Sequence, residues 1–185
     1  MGGPWSRRRD WAGGWVGASA SGVWSMDRFV SNFTNRLDAK GRVSIPGAFR
    51  AVLARDGHEG LFLHPSLDLT ALDAGGRLLL AQIDAMLAVL PPYSDERDHL
   101  ATALLGESQV LKVDPEGRIQ LPESLKAYAG IRDQVTFVGL GSKFQLWEPS
   151  SFQAHLQGAR EKLRGLKETL GRQWRAVQTP EGGAR

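Results

Sequence analysis

Two short segments of this 185-residue chain carry side chains whose types and spacing could do chemistry. Asp38-Ala-Lys-Gly-Arg-Val-Ser-Ile-Pro46 recurs as Asp114-Pro-Glu-Gly-Arg-Ile-Gln-Leu-Pro122, at an offset of 76. An arginine at a fixed place beside a glycine offers a planar fork that fits phosphate or a guanine edge. The aspartates, Asp38 and Asp114, could be imagined as a carboxylate pair for general acid–base work. A simpler role suits them better. Aspartate bonds backbone N–H groups two residues on, and glycine supplies a positive φ. Asp38 with Gly41, and Asp114 with Gly117, are therefore turn-formers, each beside its arginine.

Other chemistries fare poorly. Cysteine is absent, which removes disulfides, thiolate metal sites and cysteine nucleophiles together. His58, His64, His99 and His155 are scattered and show no i, i+4 metal spacing. Gly139-Leu-Gly141-Ser-Lys143 lacks the Gly-Lys-Ser/Thr ending of a phosphate loop and reads as a hairpin turn. No Gly-x-Ser-x-Gly elbow occurs. The chain is expected to be no enzyme, with no catalytic residue, metal, cofactor or small-molecule substrate.

Charge points to a polyanion. The formal net charge is +3, but residues 1–25 and 171–185 contribute +2 each, leaving −1 for the body between them. Within that body, residues 28–55 hold Arg28, Arg36, Lys40, Arg42, Arg50 and Arg55 against Asp38 alone, a net +5. Over residues 112–126, Lys112, Arg118 and Lys126 balance Asp114, Glu116 and Glu123, a net charge of zero. A local basic cluster in a near-neutral body is a better footprint of a polyanion partner than a high overall pI.

Both copies share one local grammar. A strand leads to the Asp-x-x-Gly turn, and Val43-Ser-Ile45 or Ile119-Gln-Leu121 alternates as the return strand. Proline then opens a short helix in its first turn, running about to Ala54 or Ala129. A β-hairpin completes each copy, in the second from Gln134 to Gly139 and Lys143 to Glu148 around Gly141-Ser142, and one copy alone is too small to bury a core. His64-Pro-Ser66 resembles Glu148-Pro-Ser150, at offset 84. Between the copies, Leu79, Ile83, Met86 and Leu90 form an amphipathic stripe, stopped by Pro91-Pro92. Ser94 then starts a second helix, with Leu100, Leu104 and Leu105 facing inward. Phe152, Leu156, Ala159, Leu163, Leu166 and Leu170 form a heptad-like seam, for packing either on the chain's own domain or on a neighbouring subunit. The longest mostly apolar stretch, Leu78 to Leu90, is too short and polar to span a bilayer. Residues 1–25 lack any period of 2 or 3.6. They are expected to be a disordered extension, either an arm or residues outside the natural protein, with Met26 as the natural start.

The paired Asp-x-x-x-Arg turns, each followed by apolar-x-apolar-Pro, together with Val138-Gly-Leu-Gly-Ser-Lys-Phe-Gln-Leu-Trp147, resemble the MraZ family from about Met26 to Leu170. That resemblance implies an α+β, mainly β, fold. Two AbrB-like β-turn-β/hairpin half-modules would form a pseudo-two-fold swapped-hairpin barrel. The expected divisions are 1–25, extension; 26–70, first DNA-binding repeat; 71–107, helical connector; 108–150, second repeat; 151–170, C-terminal amphipathic helix; and 171–185, disordered tail. The resemblance further implies a cytoplasmic, nucleoid-associated transcription regulator. Its partners would be double-stranded DNA, at the promoter of a division and cell-wall gene cluster, and copies of itself in a ring.

Within that frame the charge difference assigns roles. Arg42 is expected to read bases, with Arg36, Lys40 and Arg50 holding phosphates. Arg118 is the weaker DNA candidate, because Glu116 stands where the first copy has Lys40. A salt bridge to Asp38 that pins the turn is the competing role for Arg42. The competing function is an oligomeric scaffold or antitoxin-like AbrB module, whose repeat serves assembly.

Overall fold

The structure is a computed structural model and describes residues 28–57 and 60–178. The extension expected over residues 1–25 lies outside the described residues. Strands β1 (Asn32–Arg36) and β2 (Arg42–Ser44) flank the first turn, and α1 (Gly47–Arg55) follows. Next come β3 (Gly60–Pro65), β4 (Leu72–Gly75), α2 (Arg77–Ala88) and α3 (Asp95–Ala101), the last running into a π-helical turn, Thr102–Gly106. The second copy supplies β5 (Gln109–Lys112), β6 (Arg118–Gln120), α4 (Glu123–Tyr128), β7 (Gln134–Gly139) and β8 (Phe144–Trp147), before α5 (Pro149–Gln178). α5 continues eight residues past the end expected at 170, and residues 179–185 lie outside the described residues.

The two copies interlock strand by strand. A six-stranded antiparallel sheet has the order β1-β7-β8-β4-β3-β5, while β2 and β6 pair only with each other. The sheet is open, ending at β1 and β5, where the resemblance implied a barrel. The reason is local. Each edge strand runs into an Asp-x-x-Gly turn, and its return strand leaves the sheet to join the other copy's return strand.

That separate ribbon closes the core. Val43 and Ile119 stand opposite each other at its centre, both about fully buried. Together with Ile45, Phe49, Leu121 and Leu125 they cover one face of the sheet, packing on Leu61, Leu63, Leu72, Phe137, Phe144 and Leu146. Phe49 of α1 is the hub. Its ring lies 5.3 Å from Phe29, 5.6 Å from Phe33 and 5.0 Å from Phe144. Truncating such a ring to alanine costs about 3–5 kcal/mol, so the turns rest on a stiff base. Pro46 and Pro122 cap α1 and α4 one residue before the helix, with extended ψ of 138° and 143°, rather than lying inside the first turn as expected.

On the other face, Phe62 packs with Leu79, Ile83 and Leu87 of α2 and with Leu104. Here the structure corrects the α2 stripe. Leu87 is buried and Met86 is 48% exposed, because two successive steps of four carry the stripe to residue 87. The π-helical turn likewise leaves Leu105 exposed while burying Leu104. Ser94 does cap α3, its hydroxyl accepting the N–H of Arg97 at 3.3 Å. Farther along the sheet, Trp147 packs with Ala71 and with Phe152 of α5. Between these clusters lies a buried polar group. Asp73 accepts from Lys143 Nζ and from Gln145 Nε2, each at 2.8 Å, and the Trp147 indole donates to Gln145 at 3.0 Å. His64 bonds the Pro65 carbonyl, and burial pushes its pKa down, disfavouring the charged ring.

Candidate nucleic-acid interface

The Asp-x-x-Gly turns form as the residue types require. In the first, Asp38 Oδ1 accepts the N–H groups of Lys40 and Arg42, both at 2.9 Å. The Gly41 N–H donates to the Asp38 carbonyl at 2.9 Å, with Gly41 at φ 73°. In the second, Asp114 Oδ1 accepts from Glu116 at 3.0 Å and Arg118 at 2.8 Å, and Gly117 sits at φ 77°. The Arg42 backbone N–H leads the influences holding the Asp38 carboxyl down to about 2, followed by its side chain and the Lys40 N–H. Asp114 is lowered too, chiefly by the Arg118 N–H, with a smaller contribution from the charge of Arg42 across the ribbon. Each aspartate thus ties its turn together beside its arginine.

The arginines differ in what remains free. Arg42 places Nε at 2.8 Å and Nη2 at 2.7 Å from one oxygen of Asp38. That carboxylate braces one side of the fork and leaves the outer edge with donors to spare. Arg118 gives Nε to Asp114 at 2.8 Å and Nη2 to Glu116, so two acids occupy its fork.

Strand pairing joins both arginines on one surface. In the register of the ribbon, Arg42 faces Gln120 and Ser44 faces Arg118. Alternation sends Val43 and Ile119 into the core, so Arg42, Ser44, Arg118 and Gln120 share the solvent face. Arg36 ends β1, exposed, two residues before the first turn, and Lys40 is exposed at its tip.

Arg50 is elsewhere than its place in the sequence implies. A Cβ built at Gly117 would collide with the Arg50 guanidinium and Cδ, so this first-copy side chain lies across the second turn and buries its glycine. The exchange is reciprocal. Gln120 Nε2 donates to the Lys40 carbonyl at 2.6 Å, and Lys126 Nζ lies 3.5 Å from where a Gly41 Cβ would stand. Gln120 and Lys126 were not singled out as site residues. The offset of 76 between Arg50 and Lys126 was the available signal, but only the β2–β6 pairing tells which turn each one serves. Among the described residues, no group of three or more His, Cys, Asp or Glu could hold a metal, and no helix is long and apolar enough to cross a membrane.

Comparison with known proteins decides the family. The model for "MraZ protein, putative antitoxin-like" matches residues 104–171. A protein of Beijerinckia indica named transcriptional regulator MraZ is 63% identical over 145 residues, covering 78% of this chain and 88% of that one. The chain belongs to the MraZ family. Its similarity to the transcriptional regulator MraZ of Methylocella silvestris is 58% over 155 residues, covering 84% of this chain and 94% of the relative. For the MraZ of Rickettsia bellii the figures are 40% over 146 residues, 78% and 97%. Among MraZ proteins, then, this chain aligns along nearly the whole length of relatives named as regulators of transcription.

Proposed function

We propose that the chain is a sequence-specific DNA-binding regulator of transcription that docks the solvent face of the β2–β6 ribbon against duplex DNA. One observation carries this reading: Arg42 and Arg118 share one face of a two-stranded ribbon. A two-stranded ribbon fits the major groove, where arginine bonds guanine O6 and N7 together. Arg42, braced by Asp38 and open on its outer edge, is the base reader. Arg36, Lys40 and Arg50 take phosphates, and Arg118, held by two acids, makes the smaller contribution. The names of the relatives supply the regulatory half of the reading. The target would be the promoter of a division and cell-wall gene cluster, and the site of action the nucleoid in the cytoplasm.

The interlocked strand pairs support a single-chain, pseudo-two-fold version of a swapped-hairpin module. Further association then uses new surfaces, and a head-to-tail contact between copies closes into a ring or runs on as a filament. We favour a ring, which would present several copies of the basic face to spaced DNA repeats and raise avidity without new contacts.

A second reading draws on the same ion pairs: an oligomeric scaffold or antitoxin-like module in which both arginines serve only their turns. A salt titration separates the two. DNA binding gives a steep negative slope of log affinity against log salt, through counterion release. A flat slope, or no binding to promoter duplex above that to random duplex, overturns the DNA reading.

A further inference from the structure

One aromatic side chain is held outward at a backbone cost. Tyr93 is 97% exposed at φ 63°, in the left-handed region that bulky residues seldom enter. It stands between Pro92 and the Ser94 cap of α3. The flank of α2 that leads to it is also apolar and open. Leu78 is 47%, Met86 48% and Val89 82% exposed, at spacings of eight and three that keep them on one side. Immediately beyond Tyr93, α3 opens with Asp95, Glu96 and Asp98 against Arg97. Among the described residues none of these three carboxylates makes an ion pair. The result is an exposed apolar stripe with an acidic end.

α5 has the opposite character. Its start packs down through Phe152 and Leu156. The same seam then continues with Leu163, 57% exposed, and Leu166, 48% exposed. With Leu156 and Leu163 at a positions and Ala159 and Leu166 at d, the flanking positions nearest the seam are Arg160 and Lys162. Arg164 adds a third cation, and among the described residues none of the three makes an ion pair. Two α5 helices would meet with like charges in either orientation. An antiparallel pair sets Lys162 against Lys162, and a parallel pair brings Arg160, Lys162 and Arg164 of both helices side by side. The seam therefore suits an apolar surface with an acidic border. Within one chain the two surfaces do not meet, since Leu163, Leu166, Met86 and Val89 are all exposed.

We infer that the outer part of α5 in one copy docks on the α2 flank and Tyr93 of a neighbouring copy. Arg160, Lys162 and Arg164 then lie against Asp95, Glu96 and Asp98. The contact joins unlike surfaces, so it is head-to-tail and supplies the repeating step of a closed assembly. It rests on the reading that the chain associates with itself, and it names the surfaces that do so.

The test is charge reversal on the full chain, followed by light scattering over a concentration series. Lys162→Glu with Arg164→Glu, and separately Asp95→Lys with Glu96→Lys, should each raise the concentration needed for assembly about tenfold or more through like-charge contacts. Combining all four substitutions in one chain should restore assembly. Circular dichroism and thermal melts check that each variant folds; all four positions are exposed, and the Asp95→Lys, Glu96→Lys pair is expected to melt slightly lower because it puts cations in the first turn of α3. Leu163→Ser with Leu166→Ser, which leaves every charge in place, should also dissociate the assembly. Normal assembly of either charge variant, or no recovery in the combined one, overturns the proposed contact. A wild-type chain that stays monomeric at micromolar concentration instead overturns the self-association on which it rests.

Discussion

The two Asp-x-x-Gly turns are near copies in backbone and opposites in charge. Each has an aspartate accepting two N–H groups, a glycine with φ near 75°, and an arginine bonded back to the aspartate. At the first turn Lys40 points into solvent and Arg42 has one acid partner. At the second, Glu116 takes the position of Lys40 and bonds Arg118. The exchange across the ribbon partly offsets that contrast. Arg50 brings a cation to the second turn, while Lys126 reaches the first already paired with Glu123 at 2.6 Å. A duplicated motif has thus kept its turn chemistry and divided its surface chemistry.

The largest expected effect tests that division directly. Arg42→Ala should remove a bidentate base contact, about 1–3 kcal/mol per engaged subunit, multiplied where several subunits bind one promoter. Arg118→Ala should act mainly on folding or assembly. Binding of both variants to promoter and random duplex, with size-exclusion profiles alongside, decides the matter. Promoter binding by Arg42→Ala at the wild-type level, or loss of DNA by Arg118→Ala with assembly intact, would show that the second turn is the reader.

Next in size comes a glycine comparison. Gly41→Ala and Gly117→Ala both force alanine into the left-handed region, at about 1–2 kcal/mol. Only Gly117→Ala also displaces Arg50. Urea unfolding should therefore show the larger loss for Gly117→Ala, and its DNA salt slope should fall as well. Equal behaviour would mean that Arg50 is not fixed over the second turn.

What could be read from the sequence was local, and what could not was long-range. The turns, the Ser94 cap and the short helices follow from side chains acting within about five residues. The open ribbon required knowing that β2 finds β6. The position of Arg50 over Gly117 follows from that pairing and from nothing nearer in the chain. Strand β4 was equally hidden. Leu72-Asp73-Ala74-Gly75 has no β-branched residue, and Asp73 is buried only because Lys143 and Gln145, some 70 residues away, bond it. For the α2 stripe the sequence offers both Met86 and Leu87, since both are apolar, and only packing on Phe62 chooses between them. In the candidate site, the turn geometry beside each arginine follows from local residue types, whereas the places of Gln120 and Lys126 at the first turn need the fold.

Smaller effects measure phosphate contacts one at a time. Lys40→Ala should weaken binding evenly across sequences and flatten the salt slope by about one unit. Glu116→Lys should do the reverse, since it frees Arg118 and adds a cation at the matching place. Random-duplex affinity and slope should both rise. An unchanged slope in both variants would remove the turn tips from the interface while leaving Arg42 in it.

The smallest expected effect concerns the acids that hold the turns. The Asp38 carboxyl is kept at about 2, below its ordinary 3.8, first by the Arg42 backbone N–H and then by the Arg42 side chain and the Lys40 N–H. A depressed carboxyl favours the folded state only while ionised. Its contribution is therefore complete above about pH 4 and is lost as pH falls from there toward 2. Asp114 is shifted in the same direction by the equivalent donors, so its loss has the same sign. Melting temperatures of the wild type, Asp38→Asn and Asp114→Asn, measured from about pH 6 to pH 2, read this out. The gap between wild type and each variant should be constant at the upper end and close at the lower. Solvent at both turns keeps each gap small, because ion pairs this exposed contribute little. A gap that has already closed at about pH 5, or that persists undiminished at pH 2, would mean that backbone geometry alone sets the turns. The charge of the aspartates would then do nothing for the ribbon that carries Arg42 and Arg118.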